Sequence, residues 1–221
     1  MRVDVFTRGE LDDRLPAAER RELHLLGFEG RRAAEWVAGR AAAHRVLGMV
    51  DVLAESDGAP RVAGGAGGAS GALSLSHDDE WVAVATAPSG RVAVDLCSRA
   101  NRDQAAQVLR RLDVFGDPCL AWAALECALK LRRRGVMTLL GDGPAEPRGH
   151  IVVEAQGAGA TVRGIGADVH VSWRSCDGYA LAWAHEVEAQ PVVAVERRPA
   201  VKAAARSLAL RAARAHRARL A

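Results

Sequence analysis

The stretch Asp117-Pro118-Cys119-Leu120-Ala121-Trp122-Ala123-Ala124-Leu125-Glu126-Cys127-Ala128-Leu129-Lys130-Leu131-Arg132-Arg133-Arg134-Gly135 constrains the fold more than any other. It reads as one helix. Asp117 can cap it, Pro118 suits the first helical position and Gly135 suits the stop. Leu120, Ala121, Ala124, Leu125, Ala128 and Leu131 recur at helical spacing and form an apolar stripe. Trp122, Glu126 and Lys130 fall at i, i+4 and i+8 on a second stripe. A carboxylate one turn from an ammonium is most often a surface ion pair. The same arrangement also suits a base or metal ligand beside a cation that holds phosphate, so the rest of the chain has to decide.

The 221 residues suffice for one large domain or two small ones. Hydrophobic residues make up 49% and aromatics only 4%, so the expected core is built from small aliphatic side chains. A net charge of +3 with a pI of about 8.9 is too mild to argue for nucleic acid and suits an acidic or phosphorylated partner. Cys97, Cys119, Cys127 and Cys176 have no CxxC spacing and no disulfide framework. They read as reduced thiols of a cytoplasmic protein. No signal-peptide pattern stands at Met1, and no apolar run is long enough to span a bilayer.

In chain order, Arg2 to Arg8 alternates like a short strand. A helix is expected from Leu15-Pro16 to Leu26 and a second from about Arg31 to Met49. In the second, Ala34, Val37, Ala38, Ala41, Ala42, Val46 and Leu47 make a buried stripe, and Trp36, Arg40 and His44 lie on its neighbour. Gly39 sits mid-helix, which marks either a close approach to the backbone or a helix packing contact. Ser56 to Pro60 is a turn. Gly64 to Gly71 lacks the Lys-Ser/Thr of a phosphate loop and reads as a flexible hairpin connection. Strands follow at Leu73–His77, Trp81–Ala85 and Arg91–Cys97. In the last, Ala93, Asp95 and Cys97 point to one face and Val92, Val94 and Leu96 to the other. Asp95 ending a hydrophobic strand needs a cation or metal if buried, or is an N-cap or turn residue.

A helix at Arg102–Leu112 precedes the stretch described first, and Gly141 to Gly149 reads as a loop. Further strands are expected at His150–Glu154, Val169–Arg174, Tyr179–Glu186 and Val192–Val195, with Gly164 to Asp168 a glycine-rich turn. Residues 199–221 are expected to form a basic, solvated terminal helix. The expected fold is α+β and pseudo-duplicated, each half with helices packed on a small antiparallel sheet. Residues 1–94 make one subdomain and 95–198 the other, with the seam near Asp95, where a site can draw residues from both halves.

Four segments, in this order, resemble one family. Trp36-Val37-Ala38-Gly39-Arg40 resembles its aromatic-x-x-Gly-Arg helix, and Ser74-Leu75-Ser76-His77 its Ser-hydrophobic-Ser-His strand. Val92-Ala93-Val94-Asp95-Leu96 resembles its Gly-hydrophobic-Asp-hydrophobic-Glu strand. Trp122 to Lys130 resembles its Trp-x-x-Lys-Glu-Ala-x-x-Lys helix. Gly58-Ala59-Pro60 and Asp177-Gly178-Tyr179 fit as well, and the likeness runs to about Val195. The family is the 4′-phosphopantetheinyl transferases of the surfactin-synthetase-activating (Sfp) type, which are monomeric and pseudo-dimeric.

The resemblance implies transfer of the phosphopantetheine arm of coenzyme A to a serine of an apo acyl or peptidyl carrier protein, in polyketide or nonribosomal peptide biosynthesis. The coproduct is adenosine 3′,5′-bisphosphate. By position, Asp95 and Glu126 would hold Mg²⁺, and Glu126 would also take the serine proton. Lys130 would hold the transferring phosphate. Arg40, Ser76 and His77 would bind coenzyme A phosphates, His77 standing with Glu126 and Lys130 in the catalytic set. Neither nucleic acid nor membrane is implied as a partner. Phosphoryl transfer asks for such groups, because it needs charge neutralisation and in-line positioning. The chain departs from the pattern at Cys97, where a second metal carboxylate is usual, and at Leu125, where a Lys is usual. Asp78 stands for a small hydroxyl residue and His44 for an Arg, with Asp78 or Asp79 a candidate replacement metal ligand. These departures set out an alternative: a catalytically weakened homologue that binds coenzyme A or a carrier protein.

Overall fold

The computed structural model describes residues 1–63, 71–140 and 150–187. In chain order these form β1 (Arg2–Thr7), α1 (Ala17–Leu26), α2 (Gly30–Leu47), β2 (Val52–Ala54), β3 (Pro60–Val62), β4 (Ala72–Asp78), β5 (Trp81–Ala87) and β6 (Arg91–Ser98). Then come α3 (Arg102–Arg111), α4 (Pro118–Leu131), α5 (Met137–Leu140), β7 (Val152–Gln156), β8 (Gly159–Arg163), β9 (Val169–Ser175) and β10 (Tyr179–Glu186). Most of the Gly64–Gly71 connection, the loop expected at Gly141–Gly149, the strand expected at Val192–Val195 and the helix expected at 199–221 lie outside the described residues. No helix among the described residues is long and apolar enough to cross a membrane.

The strands collect in small antiparallel sheets, so the class is mixed α+β. One sheet has the order β1-β5-β4, a second the order β6-β10-β9-β8-β7, and β2 pairs with β3 as a hairpin. The period-2 alternation of β6 sorts as its sequence demands. Ala93 and Cys97 enter a core with α3, α4 and β8 to β10, while Val92, Val94 and Leu96 enter another with β1, β5 and Leu181. β6 is thus covered on both faces, which is why Asp95 is only 5% exposed. A third core joins Ala38, Ala42 and Ala43 of α2 to Leu73, Val82 and Val84. The small side chains let α2 approach closely. At Gly39 an added Cβ would lie 3.6 Å from Leu75 Cδ1, an ordinary van der Waals distance, so this glycine marks a packing contact.

α4 is central to the core around it. Leu125, Leu129 and Cys127 are fully buried, and each leucine contributes about 1.5–3 kcal/mol by leaving water. Asp117 caps the helix as its sequence indicates: Oδ1 accepts from the Cys119 N–H (3.1 Å) and the Leu120 N–H (3.0 Å). Arg99 Nη1 donates to both Asp117 oxygens, at 3.0 and 3.1 Å. Asp117→Ala should lower stability by about 1–2 kcal/mol in urea unfolding. A loss below about 0.3 kcal/mol would show that the cap carries no weight.

The structure corrects the C-terminal end of this helix. It stops at Leu131, four residues before Gly135, with Arg133 at φ +56°. That left-handed conformation is uncommon for a non-glycine residue. Arg133 is held in it by Glu55 (2.6 Å) and Asp57 (2.9 Å) from the β2–β3 turn. Two pieces of sheet were not expected from sequence, the β2–β3 hairpin and β8. Each strand of the hairpin has three residues, and β8 buries only Ala160, Thr161 and Val162, so neither carries a long periodic pattern. At Gly178 (φ +83°) an added Cβ would come within 2.9 Å of the Trp81 ring, which packs at a tilt of 47° against Tyr179 with centroids 4.6 Å apart.

Candidate functional site

β4 and β6 belong to different sheets yet run side by side, stitched by side chains. The Val94 N–H donates to Ser74 Oγ (3.1 Å), the Leu96 N–H to Ser76 Oγ (3.2 Å) and the Ser98 N–H to Asp78 Oδ2 (2.6 Å). Positions 74, 76 and 78 project from one face of β4, so every second residue meets every second N–H of β6. The Ser-Leu-Ser-His-Asp segment is therefore a zipper between two sheets. Asp78 is part of it: its other oxygen accepts from Asn101 Nδ2. With both oxygens occupied, Asp78 is a structural bracket and does not stand as a free metal ligand. Burial pushes its carboxyl up, against the pull of those two bonds.

A cleft of about 400 Å³ opens on this seam. β4 supplies Ser76 and His77, β6 supplies Asp95 and Cys97, and α4 supplies Trp122, Glu126 and Lys130. Residues far apart in sequence thus meet at one place. Lys130 Nζ lies 2.6 Å from Asp95 Oδ1 and donates to the carbonyls of Leu75 and Val94, both at 3.2 Å. Ser76 Oγ donates to the same Asp95 oxygen at 2.9 Å. Asp95 Oδ2 is buried and has no hydrogen-bond partner among the described residues. The helical spacing alone offered Glu126 as the partner of Lys130; the ion pair runs to Asp95 instead, because Lys130 reaches across to β6. Burial pushes the Asp95 carboxyl up, with the Lys130 charge pulling against it. Burial alone would lower the Lys130 ammonium, but the Asp95 charge and hydrogen bond outweigh it and raise it. Burial, with the Asp95 charge behind it, pushes Glu126 up to about 7, against the pull of Lys130. A carboxyl in a cleft that titrates near neutrality is the property expected of a general base.

No family model matches this chain, and no curated protein matches it.

The other candidate residues are placed differently. Cys97 lines the cleft with its thiol directed at the Ser98 carbonyl (3.6 Å). Burial, and then Cys119, pushes that thiol up, so it stays protonated at neutral pH. Leu125 faces the core and is fully buried, so its position does not face the cleft. Partial desolvation holds His77 below its ordinary value despite Glu35, with Lys130 and Arg8 acting the same way, so its ring is neutral at pH 7. His77 also borders a neighbouring cavity with Phe28, Arg31, Arg32, Glu35 and Trp36. Arg40 does not line the cleft. It is 5% exposed, stacked 4.3 Å from the Trp36 ring centroid, with Glu22 Oε2 at 3.7 Å. His44, one turn on, hydrogen-bonds Glu19 at 2.9 Å, and the same Glu19 oxygen accepts from the Val52 N–H. Arg40 and His44 thus tie α2 to α1 and β2.

Sequence reasoning missed Asn101, Gln104 and Val108, which line the cleft from the start and face of α3. Their i, i+3, i+7 spacing was the available signal. A larger cavity of about 470 Å³ shares Lys130 with the cleft and adds the cations Arg61, Arg91, Arg133 and Arg134.

Proposed function

We propose that this chain transfers the 4′-phosphopantetheine arm of coenzyme A to a serine hydroxyl of an apo acyl or peptidyl carrier protein, with Mg²⁺. The observation that carries the reading is the convergence of Ser76, His77, Asp95, Glu126 and Lys130, from three elements, on one cleft. The pseudo-duplicated two-subdomain fold is proposed with it, its seam being the β4–β6 zipper.

The residues fit Mg²⁺. The cation takes oxygen donors and retains waters. Asp95 Oδ2 is buried without a partner among the described residues and Glu126 stands on the same cleft, so these two carboxylates would hold the ion. The Cys97 thiol, protonated and sulfur-bearing, stays outside its ligands. Bound there, Mg²⁺ would neutralise charge on the pyrophosphate. Glu126 accepts the proton of the carrier serine, which is a poor nucleophile until a base does so. Lys130 supplies positive charge to the phosphate being transferred. The serine oxygen forms the new P–O bond, the old pyrophosphate P–O bond breaks, and adenosine 3′,5′-bisphosphate leaves. The cavity with four arginines, reached past Lys130, offers space and charge for the nucleotide end of coenzyme A.

A second reading, a weakened homologue that binds coenzyme A or carrier without efficient transfer, is favoured by one observation. Every donor of the Lys130 ammonium is already engaged within the protein. One experiment separates them: incubation with apo-carrier, coenzyme A and Mg²⁺, followed by intact mass. A phosphopantetheine mass gain on the carrier serine is expected. Binding of coenzyme A without any gain, across several apo-carriers, would favour the weakened homologue.

A further inference from the structure

Lys130 serves two structures at once. An ammonium has three donors, and here they go to Asp95 Oδ1, the Leu75 carbonyl and the Val94 carbonyl. The first is the candidate metal carboxylate. The other two belong to β4 and β6, the strands of the seam. The other seam bonds run from β6 N–H groups to β4 side chains or between the Ser76 and Asp95 side chains, whereas Lys130 grips a carbonyl on each strand. It is also a chemically particular choice. The chain carries 30 Lys and Arg residues, of which only Lys130 and Lys202 are lysines. A compact ammonium fits among two carbonyls and a carboxylate, whereas the flat guanidinium fork does not converge on three such acceptors.

Resting on the proposed function for its cation, we propose that Lys130 is a latch. In the unliganded protein its ammonium stands in for the divalent cation at Asp95, and loading of the cation releases it from the β4–β6 seam. A dication on Asp95 Oδ2 repels the ammonium held 2.6 Å from Oδ1 of the same carboxylate and weakens that hold. The freed ammonium then has donors to offer a phosphate, which it lacks in the closed latch. Seam and site compete for one side chain, so cation loading prepares the cleft for its phosphorylated ligand and loosens the joint between the sheets together.

The test uses the full chain and the metals alone. With two lysines in the sequence, the Lys130 ¹⁵Nζ resonance is assigned by its loss in Lys130→Met. Without metal, this ammonium should show a protected, slowly exchanging signal, and Mg²⁺ should shift or abolish it. Mn²⁺ binding, followed by electron paramagnetic resonance, should be about 10-fold or more tighter in Lys130→Met than in wild type. A latch closed about 90% of the time or more reduces apparent affinity by that factor. Mg²⁺ binding that leaves the Nζ signal unmoved overturns the latch, even if the Met variant binds Mn²⁺ more tightly through charge alone. Equal Mn²⁺ affinities overturn it as well. Failure of both proteins to bind either metal overturns the latch together with the metal assignment, whereas the carrier mass gain is read independently.

Discussion

Asp95→Ala should lose Mg²⁺-dependent turnover and also cost about 3 kcal/mol of stability in urea unfolding. A turn carboxylate, one of the readings the sequence left open for Asp95, would be removable with little harm to the fold. The structure argues otherwise, because Asp95 is 5% exposed and takes bonds from Lys130 and Ser76. Deleting it leaves an ammonium without its counter-charge and a hydroxyl without its acceptor. Breaking such a pair costs about 3–5 kcal/mol when both partners are sealed from water. The low end applies here, since the Lys130 side chain retains 31% exposure and two carbonyl acceptors. Adding Lys130→Met to Asp95→Ala removes the orphaned charge and should recover at least half of the lost stability. Turnover should stay lost in the double variant. A single-variant loss below about 1 kcal/mol would mean that the pair behaves as a solvent-screened surface bridge.

Glu126→Gln should lower turnover by on the order of 10²-fold or more, the scale for removing a general base. The fold should gain stability. In the metal-free protein Glu126 titrates at about 7, above the 4.5 of an unperturbed glutamate. Below pH 4.5 the carboxyl is neutral in folded and unfolded chains alike, and it places no charge in the cleft. As pH rises through 7 the folded protein must bury that charge, so the stability held at low pH is lost. A rise of this size corresponds to about 3 kcal/mol at most. Glutamine carries no such charge. The variant should therefore match wild type near pH 4 and exceed it above pH 7. Equal stabilities at all pH values would show that Glu126 is solvated. A near wild-type rate of carrier modification by Glu126→Gln would refute its proposed role as base.

Much of the fold was legible in the chain because it is local. The stripes of α2 and α4, the Asp117 cap of α4 and the short apolar patterns of β1, β4, β5 and β6 each arise within one segment, and the elements formed where those patterns stand. The β2–β3 hairpin and β8 were not legible, since three- and five-residue strands hold too few apolar positions to show a period. Much of the candidate site was also written in order along the chain: Ser76, His77, Asp95, Glu126 and Lys130 do share a cleft. A stripe on a helix states which side chains share a face. It does not state what stands opposite.

Only tertiary structure decided those opposite groups. Lys130 pairs with Asp95, 35 residues away, and not with Glu126 one turn away, because α4 packs across β6. Asp78 became a bracket between β4 and β6, Leu125 turned into the core, and Arg40 was drawn to Trp36 and Glu22 away from the cleft. The helix stop moved to Leu131 because Glu55 and Asp57, distant in sequence, hold Arg133. Local sequence determined the elements and the donors and acceptors they carry. Packing determined which donors and acceptors meet, since a buried charge takes the counter-charge that lies within reach in space.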